Sequence, residues 1–292
     1  MTAGADITFV HLGIAIQNMV KSFSIGGISF AYYGLIIGIG IIAGPFMAQA
    51  DAKRRGQDPD LYLDFAIYAV FFSIIGARLY YVVFQWAYYK EHLAEIINLR
   101  KGGLAIYGGV IAAVITLIVF AKKRRVSFFS MADTGCIGLV TGQIIGRWGN
   151  FVNCEAFGGY TDSLFAMRIK RSIVNETMIS QDLLDHLILE NGVEYIQVHP
   201  TFLYESAWNL GLLLFILWYR RRKKFTGEIL WIYLAGYGIG RAWIEGLRTD
   251  QLLIPGTSLA VSQLLSVVAA AVSLFMLWRG RRKVVQESEE VA

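Results

Sequence analysis

The sequence predicts an all-α integral membrane protein with about seven transmembrane helices, an N-terminus outside, a C-terminus in the cytoplasm and a small extracytoplasmic α+β head. Composition is the first reason, because 55% of the 292 residues are hydrophobic and only 17% are charged, whereas soluble domains carry about 25% charged residues. The second reason is three uncharged runs, residues 23–50, 102–121 and 251–278, which reach the roughly 20 residues that a helix needs to cross a membrane. The third is the distribution of basic residues among the loops.

Seven mainly apolar stretches are predicted to span the membrane, with approximate bounds 29–48, 63–84, 103–121, 130–149, 200–219, 228–246 and 257–278. Basic clusters follow the first, third, fifth and seventh stretches: Lys53–Arg55, Lys122–Arg125, Arg220–Lys224 and Arg279–Lys283. Because basic loops stay in the cytoplasm, all four clusters place the N-terminus outside. We therefore expect an inner-membrane protein whose loops after the second, fourth and sixth spans face outwards.

The spans divide the chain into three parts. The first, residues 1–158, holds an amphipathic segment and four spans, and the last, residues 200–292, holds three spans and a basic cytoplasmic tail. Residues 5–20 are apolar at roughly helical spacing, which favours a helix lying on the membrane surface; a disordered tail is the alternative. Residues 159–199 form the middle part, which is long and polar enough to fold as the head.

The head is expected to combine strands with a helix. Residues 165–171 and 194–198 resemble short strands, and Asn191-Gly192 signals a turn. Ser180 can cap a helix over 181–190 by accepting a hydrogen bond from the backbone of its first turn.

Several other classes of function are poorly supported. The basic residues are spread over loops instead of forming one patch, so no nucleic-acid partner is expected. The four histidines have no metal-ligand spacing and the two cysteines make no disulfide framework, so we expect no metal and no cofactor. A passive channel would need a polar lining through the whole membrane, whereas the cytoplasmic halves of these spans are apolar.

Charged residues inside the spans need partners, water or a function, because each costs roughly 2.5–3.5 kcal/mol at a helix centre. Arg78 has two interpretations. It is either part of a functional site, or it lies near the interface, extends its guanidinium towards water and pairs with a nearby carboxylate.

Three polar segments lie at the outer ends of the fourth, fifth and sixth spans. The first contains Arg147, the second is residues 199–205 with Glu205 pointing into the bundle, and in the third Arg241, Glu245 and Arg248 share one helix face. Together they predict an outward-opening cavity with two or three guanidiniums. A guanidinium suits phosphate, and a phosphate at this level belongs to a phospholipid. The residues alone do not decide whether the lipid is moved, bound or cut.

Residues 146–159, GRWGNFVNCEAFGG, resemble the signature Gly-Arg-x-Gly-Asn-Phe-x-Asn-x-Glu-x-x-Gly of the bacterial phosphatidylglycerol–prolipoprotein diacylglyceryl transferases. Five other segments are similar to this family in order and position: AYYG at 31–34, GARLYYVVF at 76–84, GGLAIYGG at 102–109, HPTFLYES at 199–206 and GRAWIEGLRTD at 240–250. The resemblance covers nearly the whole chain, and the signature is specific because its fixed positions are closely spaced.

The resemblance implies an enzyme that moves the diacylglyceryl group of phosphatidylglycerol to the thiol of the lipobox cysteine in a prolipoprotein signal peptide. The products are a thioether and glycerol phosphate, in the first step of bacterial lipoprotein maturation. The implied partners are these two substrates and membrane lipid, and the site faces the outer side of the inner membrane. The alternative is a phospholipid transporter or flippase with the same arginine cavity. A transporter should show internal repeats and broken helices, and the sequence contains no convincing repeat.

Positions that match the family's motifs imply the site residues. The catalytic candidates are Arg147, Arg241 and Tyr107. The substrate-binding candidates include Arg147 again and are otherwise Tyr33, Asn150, Glu155, Gly158, His199, Tyr204, Tyr237, Glu245 and Arg248. Gly158 marks a place where backbone must approach closely. Asn150 and Glu155 either orient the headgroup and the arginines or only pair structurally with Arg147.

Tyr107 is a departure from the family, many of whose members carry histidine at this position. Tyrosine has a pKa of about 10 and is a poor base near pH 7. Three interpretations stay open. The base is another group, such as His199 or Glu245; Tyr107 only hydrogen-bonds the lipid phosphate; or no base is needed, because a thiol with a pKa of about 8.5 is already partly ionised.

Overall fold

The computed structural model describes residues 4–99, 102–254, 256–257 and 259–289. Two compact units make up the chain, one formed by Met1–Gly44 with Leu139–Ala292 and the other by Pro45–Gly138. In the described part the α-helices are, in chain order, α1 (Tyr32–Arg54), α2 (Asp60–Phe84), α3 (Trp86–Tyr89), α4 (Ile106–Arg124), α5 (Phe128–Asn153), α6 (Gln181–Asp185), α7 (Thr201–Tyr219), α8 (Glu228–Glu245) and α9 (Val261–Glu289).

Within the described residues, six helices are long and apolar enough to cross a membrane: α1, α2, α4, α5, α7 and α9. Each overlaps a predicted span, so the prediction of a multi-pass membrane protein is confirmed. The stretch predicted as the sixth span, 228–246, is also helical and forms α8. Its eighteen residues include three charged ones, Glu228, Arg241 and Glu245, and it is not among the six.

The described residues also contain the strands β1 (Ile7–Phe9), β2 (Ile14–Ile16), β3 (Ser22–Ile25), β4 (Ile28–Ala31), β5 (Met167–Lys170), β6 (Ile188–Glu190) and β7 (Val193–Val198). Five of them form an antiparallel sheet in the order β2-β1-β5-β7-β6. We call this sheet together with α6 the head. Strands β3 and β4 pair separately as a hairpin.

The middle of the chain folds largely as the sequence predicts. Strands β5 and β7 lie where strands were expected, and Asn191 and Gly192 form the two-residue turn before β7. Both have positive φ, 50° and 76°, as a tight hairpin turn requires. The Ser180 hydroxyl accepts a hydrogen bond from the Leu183 amide at 3.4 Å and begins α6. That helix ends at Asp185, earlier than the predicted 190, because β6 pairs with β7.

The surface helix predicted over residues 5–20 is wrong. These residues form β1 and β2, and β1 pairs with β5. Ile7 and Phe9 are buried in the core of the head, and the β-branched Ile14 and Ile16 favour an extended backbone. Burial against a partner strand far away in the sequence outweighs the helical spacing of the apolar residues.

The first membrane helix begins later than predicted. The hairpin of β3 and β4 extends to Ala31, and its turn uses Gly26 and Gly27 with φ of 58° and 81°. Residues 29–31 therefore belong to a strand, and α1 starts at Tyr32.

The head packs on the ends of α5 and α7. Its buried core includes Cys154, directly after α5, and Phe202, in the first turn of α7, together with the strand residues Ile7, Ile169 and Ile196. Because both helix ends are held by one sheet, the polar segments at these ends are brought together.

In the unit Pro45–Gly138, α2 and α4 approach each other closely at two glycines. A Cβ atom added to Gly76 would lie 2.7 Å from the carbonyl oxygen of Gly108. Backbone contact at this distance leaves no room for a side chain, so the two glycines allow close packing of these helices.

We expect Gly76→Ala to lower the free energy of unfolding by about 1–3 kcal/mol, because the added methyl group meets backbone and forces the helices apart. Gly38→Ala in α1 is the matched control, since no atom lies within 4 Å of a Cβ atom built there. Thermal unfolding midpoints in detergent test this. Equal midpoints for the two variants would show that α2 and α4 separate without cost.

Candidate active site

A buried carboxylate, Glu205, lies where the three polar segments meet. It belongs to the early part of α7, which begins after Pro200, and only 4% of its surface is exposed. Its Oε2 is 2.6 Å from Nε of Arg147, and its Oε1 accepts a hydrogen bond from Nη1 of Arg241 at 2.6 Å. Nη1 of Arg248 lies 3.7 Å from Oε1. Three guanidiniums thus offset the cost of burying one carboxylate.

Arg147 is linked to the turn after α5 by a chain of hydrogen bonds. Its Nη1 donates to Oδ1 of Asn150 at 3.4 Å, and Nδ2 of Asn150 donates to Oε1 of Glu155 at 2.9 Å. The other oxygen of Glu155 accepts from Nδ2 of Asn153 at 2.8 Å. Cys154 adopts a left-handed φ of 53°, which turns Glu155 back towards the end of its own helix.

Arg241 also contacts a carboxylate on its own helix. Glu245 lies one turn further along α8 and pairs with Nη2 of Arg241. The Ser262 hydroxyl, at the start of α9, donates a hydrogen bond to the other oxygen of Glu245. Nε2 of Gln251 donates to the backbone carbonyl of Glu245 at 2.5 Å. Arg241 is therefore fixed between carboxylates from α7 and α8.

Arg248 forms a two-point ion pair with Asp250 in the loop after α8. Its Nε and Nη2 donate to the two carboxylate oxygens at 2.9 and 2.7 Å. Burial alone would raise the pKa of Asp250, but the hydrogen bonds and charge of Arg248 outweigh it and hold that pKa below its ordinary value. Both partners stay ionised at neutral pH.

The backbones of the three polar segments come closest to one another at Gly158. Its amide donates to the carbonyl of His199 at 2.9 Å, and its backbone forms a β-bridge with Arg248. A Cβ atom added there would lie 2.7 Å from the carbonyl oxygen of Leu247 and 2.8 Å from Cβ of His199. The predicted close approach of backbone at Gly158 is confirmed.

His199 and Tyr204 form a pair at the start of α7. Nδ1 of His199 is 3.3 Å from the Tyr204 hydroxyl. The ring of Tyr204 also packs on Trp243, with centroids 6.1 Å apart. Burial lowers the pKa of His199, so this imidazole is neutral near pH 7.

Two further tyrosines lie beside the arginines. Tyr237, one turn before Arg241 on α8, lines a narrow recess together with Arg241 and Glu205. The ring of Tyr33, at the start of α1, packs on the helix backbone of α5, since a Cβ atom added to Gly149 would lie 3.0 Å from it. Both therefore fall within the neighbourhood that the motifs predicted.

Tyr107 and Arg78 belong to the other unit, Pro45–Gly138. Tyr107 lies in the first turn of α4. Arg78, in α2, is 5% exposed, and its guanidinium donates to backbone carbonyls. Within the described residues its hydrogen-bond partners are thus backbone carbonyls, in place of the carboxylate that one interpretation predicted.

The sequence placed Glu205 in the cavity but gave it no role in the site. Its position could have been found from one signal, a carboxylate within a span whose neighbouring spans carry arginines. Asn153, Asp250 and Ser262 were also missed. Asn153 is a fixed position of the signature and Asp250 ends the segment GRAWIEGLRTD, so both could have been found from these motifs, whereas nothing in the local sequence of Ser262 distinguishes it from an ordinary helix-end residue. Chemically, the arrangement can hold an anion against guanidiniums that are already fixed in place.

A family model described as "Prolipoprotein diacylglyceryl transferase" matches residues 21–279. The chain belongs to the prolipoprotein diacylglyceryl transferase family. The family resemblance that the signature motif predicted is thereby confirmed, and the comparisons give no support to the transporter alternative.

Three relatives in this family carry the name phosphatidylglycerol–prolipoprotein diacylglyceryl transferase. One from Geobacillus kaustophilus (strain HTA426) is 42% identical over 268 residues, which cover 91% of this chain and 94% of the relative. One from Bacillus velezensis is 39% identical over 262 residues, 90% and 92% of the two chains. One from Bacillus cereus (strain B4264) is 38% identical over 256 residues, 88% and 90%.

We expect Glu205→Gln to lower the free energy of unfolding by about 3–5 kcal/mol, because it leaves buried guanidiniums without their shared counter-charge. Glu194→Gln is the matched control. Glu194 pairs with Arg171 at 2.8 Å but is 49% exposed, so its loss should change stability little. Denaturant or thermal unfolding in detergent measures both. If the two variants lost equal stability, Glu205 would not be the counter-charge of the arginines.

Proposed function

We propose that this chain transfers the diacylglyceryl group of phosphatidylglycerol to the thiol of a lipobox cysteine in a prolipoprotein signal peptide. The names of its relatives support this reaction. The main structural support for this reaction is that Arg147 and Arg241, which belong to two different helices, both pair with one buried carboxylate. Such a fixed pair of guanidiniums suits a phosphate that becomes a leaving group.

The reaction exchanges a carbon–oxygen bond for a carbon–sulfur bond. The cysteine thiolate attacks the glycerol carbon that carries the phosphate, the C–O bond breaks, and glycerol phosphate leaves with the bonding electrons. Negative charge therefore grows on the phosphate oxygen in the transition state. Fixed hydrogen-bond donors aimed at such charge are worth roughly 2.7–4 kcal/mol each, which is the task we assign to Arg147 and Arg241.

Glu205 lets the two arginines act as one unit. Its two oxygens engage Nε of Arg147 and Nη1 of Arg241, and their side chains remain 20% and 16% exposed. Part of each guanidinium thus stays accessible to a ligand. Because the arginines are already held in place, little reorganisation is needed when the phosphate arrives.

The remaining polar residues divide into orienting and binding groups. Asn150 accepts a hydrogen bond from Arg147 and donates one to Glu155, which suits either orientation of the arginine or purely structural pairing. Glu245 and Arg248 fix Arg241 and the loop after α8. A second group would line the lipid path and the peptide entry: Tyr33, Gly158, His199, Tyr204 and Tyr237.

His199 is the better placed of the two alternative bases for the thiol proton. Burial lowers its pKa, so its imidazole is neutral and able to accept a proton at pH 7. Glu245 is engaged by Arg241 and by the Ser262 hydroxyl, which leaves its carboxylate less available. For Tyr107 we assign a hydrogen bond to the lipid phosphate, not proton removal, because a phenol is a poor base at this pH.

The proposed reaction fits a particular membrane arrangement. With α8 as the seventh span, basic clusters after α1, α4, α7 and in α9 would all face the cytoplasm. The head and the arginines would then lie on the outer side of the bacterial inner membrane, where lipobox peptides emerge. The charges of α8 are compatible with a span because Arg241 and Glu245 pair with each other and with α7.

We expect Arg147→Ala to reduce the rate of thioether formation by about 10²–10³-fold, the value of one fixed donor in a transition state. Arg147→Lys should recover only part of this, because an ammonium lacks the two-point geometry. The assay uses purified protein, phosphatidylglycerol and a lipobox peptide in detergent. Arg168→Ala in the head is the control. A wild type that binds the lipid yet forms no thioether would exclude the proposed reaction.

We expect Tyr107→Phe to raise KM for phosphatidylglycerol about 2- to 12-fold, the worth of one hydrogen bond, and to leave the pH dependence of kcat unchanged. Michaelis curves between pH 6 and about pH 9 measure both quantities. A large fall in kcat at constant KM, with a shifted alkaline limb, would instead assign the Tyr107 hydroxyl to the chemical step.

A further inference from the structure

Arg78 uses its whole guanidinium to bind backbone. Near the end of α2 it is 5% exposed, and it donates five hydrogen bonds to carbonyl oxygens of the segment between α3 and α4. The acceptors are Glu95 (2.7 Å), Ile96 (2.7 Å), Asn98 (3.3 Å), Gly102 (2.8 Å) and Gly103 (2.9 Å). A guanidinium has five N–H donors, so this set accounts for all of them.

The segment closes tightly around this guanidinium. The rings of Tyr89 and Tyr81 lie 5.1 and 6.0 Å from its central carbon, within the range of cation–π attraction. Gly103 has a φ of 79°, and a Cβ atom there would lie 2.5 Å from Nη1 of Arg78. Polar backbone and one charge therefore form the interior of this segment.

The exterior of the same segment carries large apolar side chains beside four exposed polar residues, Gln85, Lys90, Glu91 and His92. Six large side chains between α2 and the first turn of α4 are exposed: Trp86 (53%), Leu93 (61%), Ile97 (86%), Leu99 (44%), Leu104 (50%) and Ile106 (75%). A loop in water usually shows the opposite polarity, with its carbonyls hydrated and its apolar groups covered. Carbonyls bonded to Arg78 on the inside and six large apolar side chains on the outside suit a medium that cannot form hydrogen bonds, where each backbone group needs an internal partner.

The apolar exterior also continues onto two membrane helices. Val83 and Phe84 at the end of α2 are 67% and 70% exposed, and Val110 and Ile111 near the start of α4 are 54% and 52% exposed. Both helices are long and apolar enough to cross a membrane. The segment thus continues the exposed apolar surface of two candidate membrane helices, and it includes Trp86, a residue type that is enriched at membrane interfaces.

We propose that the six exposed apolar side chains of this segment form a lipid-contacting surface inserted in the leaflet at this end of α2 and α4, with the exposed polar residues 85 and 90–92 at the level of the headgroups and with Arg78 as the internal brace of the segment. Its partner is the acyl-chain and glycerol layer of the bilayer. The chain's own hydrogen bonds make this insertion possible, because Arg78 supplies the donors that water would otherwise provide.

The test compares two exposed apolar positions by spin labelling. Ile97→Cys carries the label on the proposed surface, and Leu189→Cys, 72% exposed on β6 of the head, is the control. The full chain is placed in nanodiscs of phosphatidylglycerol and phosphatidylcholine. Cys136 and Cys154 are buried, and unmodified protein treated with the reagent measures any background labelling.

Collision rates with oxygen, which concentrates in lipid, and with a water-soluble nickel chelate give the result. We expect the oxygen-to-nickel ratio at position 97 to exceed that at position 189 several-fold. Equal ratios would place the surface in water and overturn the proposal. If position 97 became shielded only after addition of a lipobox peptide with an apolar signal segment, the surface would be a peptide-docking face and the assignment to lipid would be wrong.

A second variant tests the brace. Arg78→Met removes the five donors, so we expect the ratio at position 97 to fall towards that at position 189 as water enters to hydrate the carbonyls. Arg171→Met, whose exposed guanidinium pairs with Glu176 and Glu194 in the head, should change nothing there. An unchanged ratio in Arg78→Met would overturn the role of Arg78. If this variant failed to fold, the measurement at position 97 with Arg78 intact would still decide the lipid contact.

Discussion

The site depends on one buried charge, the carboxylate of Glu205. A carboxylate with 4% exposure is costly to place inside a protein, and the arginines that offset this cost come from α5, α8 and the following loop. The ion pairs between Glu205 and the arginines thus have two effects. They make the carboxylate tolerable, and they keep guanidiniums that would otherwise repel one another within reach of a single ligand. Neither the arginines nor Glu205 is stable in this arrangement without the other.

Backbone contacts give this charged cluster its precision. Gly158 joins the turn after α5 to His199, two residues before α7, and to Arg248 in the loop after α8 through backbone hydrogen bonds and a β-bridge. The head holds two of these segments through its core, which includes Cys154 and Phe202. The charged groups are therefore held in place by main-chain contacts and by packed apolar side chains. Charged groups and dipoles that are fixed in this way can stabilise a transition state without reorganising.

Many features of the fold and of the site could be predicted from the sequence, for physical reasons. Apolar runs predict helices because the membrane imposes their length, and the signature motif predicted Arg147 because its residues are contiguous. The function of Glu205 was not available, since it depends on three segments far apart in the chain. Residues 5–20 were misassigned because the strand that fixes their conformation lies elsewhere. The partners of Arg78 could not be predicted either, because every residue has a backbone carbonyl and its use as an acceptor does not require a particular residue type.

The pairing of β1 with β5 has a consequence for how the protein is made. Ile7 pairs with Ile16 of β2 on one side and with Ile169 of β5 on the other, so β1 lacks its second partner until the ribosome has produced about 160 further residues. At roughly 5–20 residues per second this wait is on the order of ten seconds or more. During that time the candidate membrane helices α1, α2, α4 and α5 are synthesised, while β1 and β2 remain without the rest of their sheet. The five-stranded sheet of the head is therefore completed only after the four long helices that precede β5 have been synthesised, although two of its strands are among the first segments made.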